Sequence, residues 1–242
     1  MMVSKRIMKD IFRRLGLEVH RYTASVSPTA QIVSSLHKFG IDLILDVGAN
    51  QGQFASEIRG GGYRGNIISF EPLSEAHSVL RRVSQRDAKW YVHPRCALGD
   101  YNGEVNINIA GNSVSSSILP MLDAHQRAAP ASIYQGREVV PLQTLDAVSG
   151  DYLVNAHKSF LKIDTQGFEW QVLDGARDTL PYIRGVLLEL SLVPLYEGQH
   201  LWREIIDRLE TEGFVLWSLL PGFTDPVDGQ TLQVDAVFYR QP

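Results

Sequence analysis

Residues 43–54 read LILDVGANQGQF, and this stretch decides the fold. Its first part, LILDV, is a short apolar run typical of a strand buried on both faces of a sheet. The run ends in the glycine-bearing turn GANQG at residues 48–52, and a helix is expected from there to about Arg59. A buried strand, a tight turn and a helix in this order predict the opening unit of a parallel α/β sheet.

The alternation of strands and helices continues along the chain. Ser27 and Pro28 are an N-cap and a first-turn proline, so a helix is expected from Pro28 to Phe39, with Gly40 as its end. Periodicity and turn residues predict strands at 67–70, 89–93, 158–164, 186–190, 214–219 and 231–239, helices at 74–84, 168–180 and 201–211, a hairpin arm at 104–110, and a short helix within 121–137.

These elements predict one α/β domain with a mostly parallel sheet and helices on both faces. Residues 1–40 are expected to form an N-terminal helical extension, and residues 41–242 the main domain. The closing strand–turn–strand unit, joined by PGFTDPVDGQ, predicts that the last strand runs antiparallel to its neighbour.

Polar groups follow the first two predicted strands at the edge where ligands bind in open α/β sheets. Asp46 is the penultimate residue of the first strand, and Gly48, Asn50 and Gly52 belong to the turn after it. Glu71 ends the second strand, where its carboxylate could accept hydrogen bonds from both hydroxyls of a ribose. We interpret this pattern as a nucleoside site, although glycines could also serve only to make a tight turn.

The residue at position 50 distinguishes between two kinds of nucleoside ligand. A dinucleotide site favours G-x-G-x-x-G, which lets a pyrophosphate rest on the helix N-terminus. This turn reads G-x-N-x-G, and the Asn50 side chain would obstruct a pyrophosphate. A zwitterionic amino-acid tail fits better, which favours S-adenosylmethionine (SAM) over a nicotinamide cofactor.

Four segments together resemble a known family. LDVGANQGQFA resembles the SAM motif of class I methyltransferases, and FLKIDTQGFEWQVLDGA, at residues 160–176, resembles the signature of the FkbM-type methyltransferases. ELSLVPLYEGQ, at 189–199, and the ending LQVDAVFYR, at 232–240, are similar to one branch of that family. The likeness covers roughly residue 41 to the end of the chain.

This resemblance implies a Rossmann-like seven-stranded sheet, SAM as methyl donor, and usually O-methylation of a hydroxyl on a sugar or other natural product. It implies that the residues of the first turn, with Asp46, surround the methionine end of SAM, and that Glu71 holds the ribose. Ala97 and Leu98 are implied to lie beside adenine. At Thr165-Gln166 the chain departs from the commoner signature, which has a hydrophobic residue and Glu there.

Asp164 and Glu189 are the candidate catalytic carboxylates, because both lie at or near the carboxyl ends of central strands. Asp164 is expected to be closest to the transferred methyl group, as a general base or as a ligand of the acceptor. Glu189 would be a second carboxylate for the acceptor, and the two could together hold Mg²⁺. The structural alternative for each is a helix cap or a salt bridge.

Weaker candidates surround these carboxylates. Ser116 belongs to the polar loop GNSVSSS, at 111–117, which could form a lid over SAM or the acceptor. Tyr196 and His200 follow the strand at 186–190 and could line an acceptor pocket, although such a histidine is more often structural.

Composition limits the classes of partner. The formal net charge of −4 gives no general attraction to nucleic acid, and no apolar run approaches the length needed to cross a bilayer. The lone Cys96 is compatible with a cytoplasmic setting. The basic, amphipathic N-terminus is expected to pack on the domain or on a neighbouring subunit, with contact to a membrane surface as the alternative. Homo-oligomerisation stays open.

Three other functions remain as alternatives at this stage. One is an N-methyltransferase, including one that acts on nucleic acid, although the chain lacks both a basic face and an Asn/Asp-Pro-Pro-aromatic tetrad. A nicotinamide oxidoreductase is disfavoured by Asn50. The last is a catalytically silent SAM-binding or scaffolding module.

Overall fold

A computed structural model of the protein describes residues 5–17 and 19–241. Its helices are α1 Lys5–Arg14, α2 Pro28–Phe39, α3 Gln53–Gly60, α4 Ser74–Ser84, α5 Asp123–Ala128, α6 Leu145–Val148, α7 Gly150–Leu153, α8 Glu169–Asp174 and α9 Trp202–Thr211. Its strands are β1 Leu43–Val47, β2 Asn66–Phe70, β3 Trp90–Val92, β4 Ala97–Leu98, β5 Gly103–Ala110, β6 Tyr134–Gln143, β7 Ser159–Ile163, β8 Ile183–Ser191, β9 Phe214–Pro221 and β10 Gln233–Arg240.

The main sheet has seven strands in the order β3-β2-β1-β7-β8-β10-β9. Strand β1 runs parallel to both β2 and β7, and β10 runs antiparallel to both β8 and β9. This confirms the predicted Rossmann-like architecture and the antiparallel last strand. The strand order reverses beside β1, which brings the carboxyl ends of β1, β2 and β7 together at one edge of the sheet.

The main sheet is covered on both faces, which is why its central strands are continuously apolar. Every residue of β1 and β7 is buried. Leu45, Leu161 and Leu188 belong to the core on one face, with residues of α8 and α9, whereas Ile44 and Phe160 belong to the core on the other. Burial on two faces is what a parallel sheet requires.

Helix α2 packs into the second of these cores through Ile32, Val33 and Leu36. It begins after the Ser27 cap and ends at Gly40, whose φ of 68° is left-handed, as the sequence predicted. The Ser35 and Tyr239 hydroxyls form a buried hydrogen bond of 2.8 Å between α2 and β10. The division at residue 40 stays a prediction, and α2 contributes to the core of the main domain.

The predicted hairpin arm belongs to a second, three-stranded sheet with the order β4-β6-β5. Its central strand, β6, was not predicted, because YQGREVVPLQ contains glycine and proline and lacks a clean alternation. The end of α8 lies against this second sheet, because a Cβ on Gly175 would lie 1.8 Å from the carbonyl oxygen of Gly99, the residue after β4. The predicted helix at 168–180 was therefore too long, since α8 ends at Asp174, just before this contact.

Among the described residues, no helix is both long enough and apolar enough to cross a membrane.

Candidate active site

A cleft of about 940 Å³, part of it open to solvent, lies at the carboxyl ends of β1, β2 and β7. Strand β4 and the loop at 111–117 close its sides. The predicted site residues that line it are Gly48, Asn50, Glu71, Ala97, Leu98, Ser116 and Asp164.

Position 48 has no room for a side chain, because the ends of β1 and β7 lie close together there. Its φ is +71°, and a Cβ there would lie 1.8 Å from the Asp164 carbonyl oxygen. Gly52 has a different task, since it does not line the cleft, and a Cβ on it would lie 2.8 Å from the Trp90 ring. Gly48 therefore allows the ends of β1 and β7 to lie in contact, and Gly52 allows the start of α3 to pack against Trp90.

The turn at 48–52 has no spare N–H group. Gly48 and Ala49 donate to the Phe70 carbonyl, and Gly52 donates to the Ala49 carbonyl. Asn50 donates to Glu71, and Gln51 donates to the Asn50 side-chain oxygen and to Gln53. A pyrophosphate needs such N–H groups, so the turn disfavours a dinucleotide for a reason beyond the bulk of Asn50.

Glu71 is the buried carboxylate of the cleft, with only 4% of its surface exposed. One of its oxygens accepts the Asn50 N–H at 2.8 Å, and the other accepts the Leu73 N–H at 2.8 Å. Burial raises its pKa to about 7, although these two N–H donors act in the opposite direction. Each oxygen keeps a second lone pair, so the carboxylate can accept one hydroxyl of a vicinal diol on each side.

Lys162 also lines the cleft, and the sequence motifs did not predict it there. Its ammonium lies 3.0 Å from the Gly48 carbonyl oxygen, 3.3 Å from Asp46 Oδ1 and 3.5 Å from Asp164 Oδ2. Burial alone would lower the pKa of Lys162, but the charges of Asp164 and Asp46 outweigh it and raise that pKa. A lysine in the middle of the apolar strand SFLKI was the available signal, because lysine is rarely buried without a partner.

Asp46 is fully buried and lies behind the cleft rather than in its wall. Its second oxygen accepts the Ser69 hydroxyl at 2.9 Å, and its first faces Lys162. Asp46 therefore contacts the cleft only through Lys162 and the turn that Lys162 holds.

Asp164, by contrast, is open to the cleft, with 41% of its side chain exposed. Gln166 Nε2 donates to Asp164 Oδ1 and to Glu189 Oε2, both at 2.9 Å. The Tyr196 hydroxyl donates to Gln166 Oε1 at 2.8 Å. Gln166 thus links the two predicted carboxylates and fixes the direction of Asp164.

Glu189 lies on the far side of Gln166 and does not line the cleft. It also accepts a hydrogen bond from Gln233 at 2.6 Å. Burial raises its pKa well above the ordinary value, and the nearby charges of Asp164 and Asp235 raise it further. Its placement suits a partner of Asp164 better than a direct ligand of the acceptor.

The magnesium site predicted at Asp164 and Glu189 finds no support. The Gln166 amide nitrogen lies between the two carboxylates, where a shared cation would have to sit. Among the described residues, no group of three or more His, Cys, Asp or Glu side chains is arranged to hold a metal ion.

The loop at 111–117 forms part of the wall of the cleft, and its role as a lid stays a prediction. The Ser117 hydroxyl donates to the Gln166 carbonyl at 2.6 Å, and the Ser116 hydroxyl accepts the Ala110 N–H at 3.0 Å. In the described part of the chain, positive φ outside glycine occurs at Asn50, Ser113 and Gln166, and all three line this cleft. Such strained backbone persists where the surrounding structure enforces it, typically at functional sites.

The adenine end predicted at Ala97 and Leu98 is apolar. Both residues are buried and line the cleft together with Phe70 and Ile107. Cys96 precedes them as a buried free thiol, and burial raises its pKa to about 12. A flat aromatic base fits between such apolar walls.

Tyr196 and His200 are not in the wall of the cleft. Tyr196 is buried and acts on the site through Gln166. His200 stacks on Trp170, with ring centroids 4.0 Å apart, and lies 3.1 Å from Glu204 Oε1. This placement gives His200 no contact with the cleft.

A family model for the methyltransferase FkbM domain matches residues 46–216. The chain belongs to the FkbM methyltransferase family. It is accordingly a SAM-dependent methyltransferase, which confirms the resemblance found in the sequence.

One curated protein and two solved structures are also similar to this chain. The 2-O-methyltransferase NoeI of Sinorhizobium fredii is 24% identical over an alignment that covers 93% of this chain and 92% of NoeI. A solved structure of a magnesium protoporphyrin IX methyltransferase from Synechocystis PCC 6803 with bound SAM is 11% identical, with a TM-score of 0.47, and the match covers 100% of this chain and 99% of that one. A putative RNA methyltransferase from Pyrococcus horikoshii is 14% identical, with a TM-score of 0.45, and the match covers 90% of this chain and 86% of that one. Neither structural likeness bears on the acceptor.

The cleft fits SAM part by part. Glu71 offers two oxygens to the ribose hydroxyls, and the wall at Ala97 and Leu98 suits adenine. Since the turn has no spare N–H, the carboxylate of the methionine tail would take its donors from side chains such as those of Asn50 and Ser113, which lie 3.5 Å apart.

We predict that affinity for S-adenosylhomocysteine rises with pH through about pH 7. The ribose hydroxyls need the ionised form of Glu71, and burial keeps part of this carboxyl protonated at neutral pH. Calorimetric Kd values should be roughly fivefold to tenfold weaker at about pH 6 than at about pH 8. In Glu71→Gln binding should be weaker and independent of pH. A wild-type Kd that stays constant over this range would show that Glu71 does not hold the ribose.

We predict that Gln166→Glu destabilises the protein in a pH-dependent way. The new carboxyl would face Asp164 and Glu189, so its pKa would be higher in the folded than in the unfolded state. Its protonated form is tolerated at low pH, and stability is lost as the pH rises through the folded pKa. The free energy of unfolding should fall by about 1–2 kcal/mol relative to wild type between about pH 5 and pH 8. Gln135→Glu, at an exposed strand position, is the control, and its free energy of unfolding should not fall between these pH values relative to wild type. An equal loss of stability with pH in the two variants would argue against the bridging role of Gln166.

Proposed function

We propose that the protein is an O-methyltransferase that transfers the methyl group of SAM to a hydroxyl of a sugar, a glycan or a related natural product. One observation carries the proposal: Asp164 is a carboxylate open to the cleft, oriented by Lys162 on one side and Gln166 on the other. NoeI, a 2-O-methyltransferase by name, supports the choice of oxygen as the acceptor atom.

A hydroxyl acceptor needs a carboxylate such as that of Asp164 to take up its proton. Its oxygen is a weak nucleophile, and removal of its proton as the C–O bond forms accelerates the displacement. In the proposal Asp164 accepts that proton while the C–S bond to the methyl group breaks. Gln166 and Lys162 keep the carboxylate directed into the cleft, and positioning of the acceptor opposite the sulfur supplies the remaining acceleration.

The remaining predicted residues take supporting roles in this proposal. Glu71 holds the ribose, Ala97 and Leu98 contact adenine, and Ser116 belongs to the loop that covers the reacting groups. Glu189 supports Asp164 through Gln166. We place the protein in the cytoplasm, where the buried thiol of Cys96 would stay reduced.

We predict that Asp164→Asn lowers kcat for methyl transfer by about 100-fold to 10,000-fold, while the Kd for S-adenosylhomocysteine changes little. The assay follows radiolabelled methyl groups from SAM onto a panel of methyl glycosides, with the methylated position mapped on the product. Asp235→Asn is the control, because Asp235 is a half-buried carboxylate near Asp164 that does not line the cleft.

Four outcomes would contradict the proposal. Near-normal turnover of Asp164→Asn would remove Asp164 from the chemistry. A loss of S-adenosylhomocysteine binding that matches the loss of turnover would make Asp164 a ligand of the donor. Binding of SAM by the wild type without methylation of any hydroxylated acceptor would indicate the silent module, and label on nitrogen would indicate an N-methyltransferase.

A further inference from the structure

The segment at 9–26, which holds the end of α1 and the chain leading to α2, keeps most of its described side chains exposed to solvent. Every described residue in it is exposed except Phe12, which is half-buried. Its large apolar side chains keep about half or more of their surface in solvent, and these are Ile11, Leu15, Leu17, Val19, Tyr22 and Val26. Large apolar side chains that are exposed together on one short segment indicate a binding surface.

Charge is separated between this segment and the rest of the protein. Residues 9–26 contain four Lys or Arg and two acids, for a net charge of +2, whereas residues 27–242 contain 17 Lys or Arg and 25 acids, for a net charge of −8. On α1, Lys9 and Arg13 are one turn apart, and Ile11, two positions from each, lies on the opposite side of the helix. A basic face opposite an apolar one is the pattern of helices that lie in the headgroup region of a bilayer.

We propose that residues 9–26 dock the protein on an anionic lipid surface. Apolar side chains of this segment enter the interface, and the basic side chains meet the lipid headgroups. The positive net charge of the segment favours an anionic surface, and a lipid surface also accommodates its exposed apolar side chains.

The attachment leaves the cleft accessible. The Tyr22 hydroxyl lies against Gly61, one residue past the end of α3, and the cleft borders the beginning of that helix. The segment therefore leaves the domain at the opposite end of α3 from the cleft. Donor binding should not change when the protein sits on a vesicle, so this proposal does not depend on the proposed reaction.

The experiment is co-sedimentation of the full-length protein with phosphatidylcholine vesicles that contain about 30% phosphatidylglycerol, compared with vesicles of phosphatidylcholine alone. We expect binding to the anionic vesicles that weakens at high salt, and little binding to the neutral ones. Ile11→Ser with Leu15→Ser should weaken binding by about tenfold or more. Lys9→Glu with Arg14→Glu should weaken it at least as much.

The matched control is Val154→Ser with Val227→Ser, which removes two highly exposed apolar side chains elsewhere on the domain and should leave vesicle binding unchanged. All variants should bind S-adenosylhomocysteine as the wild type does, with or without vesicles. Equal binding to neutral and anionic vesicles would overturn the proposal, as would wild-type binding by the Ile11/Leu15 variant. A wild-type dimer that the same variant converts to a monomer, with no vesicle binding, would assign the segment to a second copy of the chain.

Discussion

The ammonium of Lys162 is the interaction on which the site depends. It lies between the carboxylates of Asp46 and Asp164 and contacts the carbonyl oxygens at the end of β1. Without this cation, a fully buried carboxylate would face a second one with nothing to offset their charges, and removal of one partner from such a buried group is costly. The cation therefore fixes the turn at 48–52 and the direction of Asp164 together.

Backbone conformation at a few positions also shapes the cleft. Gly48 lets β1 and β7 end in contact, and the positive φ values at Asn50, Ser113 and Gln166 turn three different segments toward one cleft. The N–H groups of the turn are all hydrogen-bonded within the protein, so they are not free for a pyrophosphate, whereas the Glu71 carboxylate keeps lone pairs for a diol. This combination separates it from the pyrophosphate sites of related α/β folds.

Local patterns in the sequence predicted the sheet and the residues at its ligand-binding edge, because strand burial and glycine turns are encoded over a few residues. Strand β6 was missed, since its Gly136 and Pro141 interrupt the alternation that marks a strand. Lys162 and the bridging position of Gln166 were missed as well, because each acquires its partners from segments distant in the sequence. The same reason explains why Asp46 and Glu189 were expected in the cleft but lie behind it.

A crystal structure of the complex with S-adenosylhomocysteine would test the central claim most directly. We expect both ribose hydroxyls on the Glu71 carboxylate, adenine against Ala97 and Leu98, and the sulfur directed toward the open side of Asp164. A nucleoside bound elsewhere, or a cleft that stays closed by protein side chains at saturating ligand, would contradict the account.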